Sequence, residues 1–166
     1  MSKLTFGVIG TSKKTDEQRV PIHPDHLPRL PEEYRKQLIF EEGYGVPFGI
    51  SDSEIALQTG GIASRSELLA ELGNVILAKP TLADLKDLRE GGNLWGYPHC
   101  TQQRAITQTA IDRKLTLIAF EDMFVWSPSG EIGRHTFYKN NEMAGYCAVL
   151  HALQLKGIDG HYGNQR

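Results

Sequence analysis

The chain has 166 residues, 40% of them hydrophobic and 23% charged, with a formal net charge of -2 and a pI near 6.3. This is the composition of an ordinary soluble globular protein, long enough for one good core and too short for two full domains. The near-neutral balance, with Lys and Arg spread along the chain, excludes the basic face that nucleic acid requires, and no apolar run approaches a membrane span. Cys100 and Cys147 are too few and too far apart for a disulfide framework or a metal site, so a reducing, cytoplasmic location is expected. Met1-Ser2-Lys3 leads directly into a strand-like run, and no signal peptide is expected.

Strand-like apolar runs recur at 4–9, 36–41, 74–78, 93–97 and 115–120. Helix-like segments lie between them. Pro24 to Leu30 is short and bounded by prolines. Ser51-Asp52-Ser53-Glu54 and Ser64-Arg65-Ser66-Glu67 read as capping boxes that open helices. Thr101 to Lys114 places Ala105, Ile106, Thr109 and Ala110 on one helical face, with Thr101 as a candidate cap. Val125 to Ile132 reads as a hairpin on a Pro-Ser-Gly turn. A long helix follows at 141–156, with Met143, Cys147 and Leu150 at helical spacing. Strands alternating with helices predict an α/β fold: a mostly parallel open sheet with flanking helices, flavodoxin-like in the manner of the formate/glycerate dehydrogenase catalytic domain, plus a small hairpin.

In such sheets, ligands bind beyond the carboxyl ends of the strands, and Lys79 and His99 both stand just past a predicted strand end. His99 follows Pro98 and suits a proton donor or acceptor near neutral pH; the alternative is a core-edge histidine bonded to backbone. Lys79 closes an apolar strand, where its charge must reach water or a carboxylate, so it either clamps a substrate carboxylate or carbonyl or simply snorkels. Arg19, on the loop after the first strand, offers a fork for a carboxylate or is an ordinary surface residue. Glu121 follows the last strand as an orienting acid or a helix cap. His23 and His26 flank Pro24 and lack a third ligand, which argues against a metal site. Gly43-Tyr44-Gly45-Val46-Pro47-Phe48-Gly49 lacks the third glycine of a dinucleotide loop and has Pro47 where the helix should start, so it reads as a turn after a strand.

The ordered set of segments resembles the N-terminal domain of the alanine dehydrogenase and proton-translocating transhydrogenase family. Gly7-Val8-Ile9-Gly10 leads to Glu17-x-Arg19-Val20-Pro21-Ile22-x-Pro24. Then come Glu42-Gly43-Tyr44-Gly45 with Gly49-x-x-Asp52, Leu77-Ala78-Lys79-Pro80, and Leu94-Trp95-Gly96-Tyr97-Pro98-His99. Ile118-Ala119-Phe120-Glu121 and Asn141-Glu142-Met143-Ala144-Gly145 complete the pattern. The Tyr97-Pro98-His99 form and the hairpin at 125–136 make the chain most like the N5-(carboxyethyl)ornithine synthase branch. Ala78-Lys79-Pro80 departs from the family's K-x-K-E-P by losing its glutamate, and Lys13-Lys14-Thr15 stands where the family has KE.

The resemblance implies an oxidoreductase that uses NADPH or NADH to condense a keto acid, pyruvate, with the side-chain amine of ornithine or lysine. Alanine or saccharopine dehydrogenase-type activity is the alternative within the family. It implies that Arg19 and Lys79 hold the substrate, that His99 with Lys79 is catalytic, and that Tyr97 and Glu121 support them. It further implies that residues 1–140 form the substrate domain and 141–166 a connector toward a Rossmann domain, absent here, that binds the cofactor. The chain alone is then inactive, and the connector's apolar face favours a homo-oligomer. A stand-alone binding module, or one subunit of a split enzyme, is the rival expectation.

Overall fold

The computed structural model describes residues 4–10 and 12–158. The chain's first three residues and the end of the expected connector, from 159 on, lie outside the described residues. Two compact units are present, one up to Glu121 and one from Asp122 onward.

The first unit is a doubly wound sheet of six parallel strands: β1 (Phe6–Ile9), β2 (Leu38–Glu41), β3 (Gly61–Ala63), β4 (Asn74–Leu77), β5 (Asn93–Gly96) and β6 (Thr116–Ala119). Their order is β3-β2-β1-β4-β5-β6. Gly7 lies opposite Val75, Val75 opposite Leu94, and Leu94 opposite Leu117. Without β3, this is the flavodoxin-like order, in keeping with the fold class expected from the sequence. The five apolar runs became β1, β2, β4, β5 and β6. The short edge strand β3, three half-buried residues, carries too little apolar signal to be read in advance.

Alternation along β1 distributes the core between the two faces of the sheet. Ile9 joins Leu68, Leu69, Val75, Leu77, Leu85, Leu94 and Ile106 on one face, under α3 (Arg65–Glu71), α4 (Leu82–Asp87) and α5 (Arg104–Asp112). Val8 joins Leu27, Phe40, Tyr44 and Ile55 on the other, under the 3-10 turn Pro24–Arg29 and α2 (Asp52–Gln58). One-turn α1 (Glu32–Arg35) leads into β2. Each fully buried aliphatic side chain contributes about 1.5–3 kcal/mol.

Both expected capping boxes formed: Ser51 with Glu54 opens α2, and Ser64 with Glu67 opens α3. A third, Thr81 with Asp84, opens α4, which sequence reading passed over. Thr101 does not cap the next helix. Residues 100–102 form a turn, and Gln103 precedes α5 without a side-chain cap bond. The Gly43–Gly49 segment is a turn, as read: Gly43 has φ 75, and its N–H is held by both Asp52 carboxylate oxygens at 2.9 and 3.1 Å.

The second unit pairs β7 (Phe124–Trp126) antiparallel with β8 (Ile132–His135). The hairpin closes on Ser127-Pro128-Ser129-Gly130, where the Gly130 N–H reaches the Ser127 carbonyl at 2.9 Å and φ is 82 at Gly130. The long helix, α6, runs from Tyr138 to Leu155. Among the described residues, no helix is long and apolar enough to cross a membrane.

Candidate active site

The chain leaves β1 toward β2 and leaves β4 toward β5, so connections diverge between the neighbouring strands β1 and β4. A doubly wound sheet opens a crevice at such a point, beyond the carboxyl ends of its strands. Four segments reach this end of the sheet: residues 12–23 after β1, Ala78-Lys79-Pro80 after β4, Tyr97-Pro98-His99 after β5, and Phe120-Glu121 after β6.

Parallel strands align these exits, and residues far apart in sequence meet. Lys79 Nζ lies 3.3 Å from His99 Nε2. An ammonium only donates, so this contact gives the lone pair to Nε2 and the ring proton to Nδ1. That nitrogen lies 3.8 Å from Glu121 Oε1. The same oxygen accepts the His99 backbone N–H at 2.6 Å.

His99 itself has φ 50, a left-handed conformation that non-glycine residues seldom adopt and that costs about 1–2 kcal/mol. Its carbonyl accepts the N–H groups of Gln102 and Gln103 at 2.9 and 3.0 Å. The backbone from which the ring projects is thus held by hydrogen bonds on both sides. Tyr97 completes the cluster. Its ring lies 4.1 Å from the Lys79 ammonium, stacks on His99 at 6.1 Å and meets Phe120 edge-on at 5.5 Å. Burial pushes the Tyr97 hydroxyl above its ordinary pKa, and nearby Arg19 opposes that shift.

Burial also pushes the Lys79 ammonium below its ordinary pKa, aided by the positive charges of Arg19 and Lys14 and opposed by Glu17 and Glu121. Arg19 therefore shares the crevice electrostatically with Lys79 and Tyr97. Its guanidinium is held by Glu17: Nε donates to Oε1 at 2.6 Å and a terminal nitrogen to Oε2 at 2.5 Å. This forked bond holds the Glu17 carboxyl down at about 2, against an ordinary value of 4.5. His23, by contrast, caps the 3-10 turn by accepting the Asp25 N–H at 3.3 Å. Among the described residues, no three His, Cys, Asp or Glu side chains are grouped to hold a metal ion.

Sequence reasoning missed three features. Ser12 donates to the Lys79 carbonyl at 2.5 Å and accepts the Lys14 N–H at 3.1 Å, tying the β1 loop to the β4 loop. Buried Tyr44 bridges both backbone groups of Ile22, donating to its carbonyl at 2.7 Å and accepting its N–H at 3.1 Å. Below the crevice, Arg65 joins Glu41 at 3.0 Å and Asp84 at 2.7 Å. A polar residue behind a buried strand was the available signal for Glu41, which closes β2.

The sheet order is one that dinucleotide-binding domains use, so the fit of such a cofactor can be tested here. Its pyrophosphate needs free N–H groups at a turn running directly into a helix. Here the Gly10 N–H is taken by the Glu41 carboxylate at 2.9 Å, and the next helical turn begins only at Pro24. An acid stands where a phosphate would lie. These residues do not fit a dinucleotide.

Residues 8–128 match the family of the alanine dehydrogenase/PNT N-terminal domain, and the chain belongs to that family. It is 30% identical over 153 residues to the N(5)-(carboxyethyl)ornithine synthase of Lactococcus lactis subsp. lactis, covering 86% of this chain and 47% of that protein. The protein of the same description from Clostridium botulinum is 26% identical over 159 residues, with the same coverage of 86% and 47%. The chain thus spans about half the length of the curated relatives it matches. Among solved structures, the transhydrogenase from Sinorhizobium meliloti superposes with a TM-score of 0.59 at 15% identity, over 72% of this chain and 35% of that one. An L-alanine dehydrogenase superposes at 0.56 and 22% identity, over 74% and 34%. These two share the fold.

Proposed function

We propose that this chain is the substrate-orienting domain of an NAD(P)-dependent oxidoreductase that reductively condenses a keto acid, pyruvate, with the side-chain amine of ornithine or lysine. The contact between Lys79 and His99, at the exits of two adjacent parallel strands, carries this reading. It is supported by relatives whose name describes a carboxyethylornithine synthase.

In this reading, the Arg19 guanidinium and Lys79 ammonium bind the keto acid's carboxylate and carbonyl oxygen. Charge-assisted bonds of that kind orient the carbonyl carbon before reaction. His99 accepts a proton at the keto or imine centre through the Nε2 lone pair and returns it later in the cycle, while Glu121 holds the backbone from which the ring projects by accepting the histidine's backbone N–H. Tyr97 and Phe120 wall the cluster, and a half-desolvated lysine strengthens its pull on an anion.

A bound nicotinamide supplies hydride in such chemistry. A Rossmann domain elsewhere in a longer polypeptide would hold NADPH or NADH, with residues 141–166 as the connector toward it. The chain by itself then binds keto acid without turnover. The apolar residues Met143, Tyr146 and Leu150, spaced along α6, would support a homo-oligomer.

The test is NADPH oxidation with pyruvate and ornithine, in the longer polypeptide carrying both domains. His99→Gln should lower kcat about 10²–10⁴-fold, the span for lost general acid–base catalysis, with KM for pyruvate within a few-fold. Near-wild-type turnover in that variant would remove His99 from the chemistry.

A further inference from the structure

We propose that Glu17 determines which acids the crevice accepts: it covers one edge of Arg19 and cancels one positive charge, matching the site to a keto acid with one carboxylate and against one with two. The inference rests on the substrate reading above and adds to it a residue that selects by charge.

The geometry starts from the fork. Glu17 spends both carboxylate oxygens on Arg19, taking Nε and one terminal nitrogen, and also accepts the Arg19 backbone N–H at 3.0 Å. A guanidinium has five N–H donors on two usable edges, so the edge between the terminal nitrogens keeps a full fork for one incoming carboxylate. The Glu17 side chain is only 5% exposed while that of Arg19 is 57% exposed, so the acid is the built-in partner and the guanidinium faces outward.

The charge count points the same way. Lys79 interacts with Arg19 and Lys14 of its own sign and with Glu17 and Glu121 of the opposite sign. Three cations against two anions leave one net positive charge. A monocarboxylate neutralises it. A dicarboxylate brings a second negative charge into a partly desolvated space that already holds two carboxylates, where like charges are weakly screened. Glu17→Gln removes one of those and leaves the crevice with two net positive charges.

The experiment is calorimetric titration of the full chain with 2-oxobutyrate and with oxaloacetate, which differ only in the second carboxylate. The wild type should bind 2-oxobutyrate more tightly, and about 0.5 M salt should narrow the gap by screening. In Glu17→Gln, the ratio of oxaloacetate to 2-oxobutyrate dissociation constants should fall roughly three- to tenfold, the effect of one charge several ångströms away. Glu17→Asp should keep the wild-type ratio.

A ratio within twofold of wild type in Glu17→Gln overturns the proposal. So does tighter binding of oxaloacetate by the wild type, a result that stands even where the variant fails to fold. Arg19→Ala and Lys79→Ala separate the two levels. If both lose 2-oxobutyrate while Glu17→Gln leaves the ratio flat, selection by Glu17 fails and the substrate site stands. If wild-type binding is absent or ignores both substitutions, the site reading fails and this proposal with it.

Discussion

Replacing Arg65 by Met should destabilise the protein by about 3 kcal/mol, because one cation holds two buried acids. Asp84 is 1% exposed and Glu41 7% exposed. Arg65 reaches one oxygen of each. The second oxygen of Glu41 accepts the Gly10 N–H at 2.9 Å, and that of Asp84 accepts the Thr81 N–H and hydroxyl at 2.8 and 2.7 Å. Removing one member of a buried charge group costs about 3–5 kcal/mol, since the remaining charges stay desolvated. The surviving bonds, and an Arg65 side chain 21% exposed to water, put this case at the low end.

At 2–4 °C per kcal/mol for a chain of this size, Tm should fall by roughly 6–12 °C. Urea unfolding followed by Trp95 fluorescence, in a Trp126→Phe background, reports on the sheet directly. Arg65→Met with Asp84→Leu should recover part of the loss, because an apolar replacement no longer strands that acid. A loss below about 1 kcal/mol for Arg65→Met, or a double variant no more stable than the single one, would refute the reasoning. The network ties the ends of β1 and β2 to the starts of α3 and α4, so the same variant should also weaken keto acid binding.

Two further predictions concern Lys79 and β5. The lowered pKa of Lys79 means that its charge is lost, as pH rises, before that of an ordinary lysine. Affinity for pyruvate should therefore decline at a pH below 10.5, the ordinary lysine value, and Lys79→Arg, which stays charged, should flatten that decline in a pH series of titrations. Gly96→Ala should be among the most damaging single changes: a Cβ there would collide with the Leu77 backbone carbonyl of β4, where nothing flexible can yield. Thermal unfolding should show a loss of about 1–3 kcal/mol or more, and an unchanged Tm would mean that the two strand ends are not in contact.

Much of the scaffold was legible because parallel strands buried on both faces leave continuous apolar runs. The Val75-Ile76-Leu77 and Leu94-Trp95 runs marked β4 and β5, and the residues after them marked the crevice. The strand order was not legible, yet it alone makes β4 and β5 neighbours and brings Lys79 to His99. The left-handed backbone of His99 and its tether to Glu121 likewise have no local signature. Glu17 was visible only as part of a motif, since its pairing with Arg19 depends on how the loop after β1 folds. α4 did carry a signal, the Thr81-x-x-Asp84 box, but its six residues are too few to show a helical repeat of apolar positions. The Arg65 network joins residues 19 and 24 positions away, and only the assembled sheet brings them into reach.

The most direct test of the account is calorimetric titration of the chain with pyruvate, for the wild type, Arg19→Ala and Lys79→Ala. The account predicts saturable binding by the wild type and at least a tenfold loss in each variant, with the fold preserved. Binding that is absent from the wild type, or that survives both substitutions unchanged, would contradict the claim that this crevice holds a keto acid.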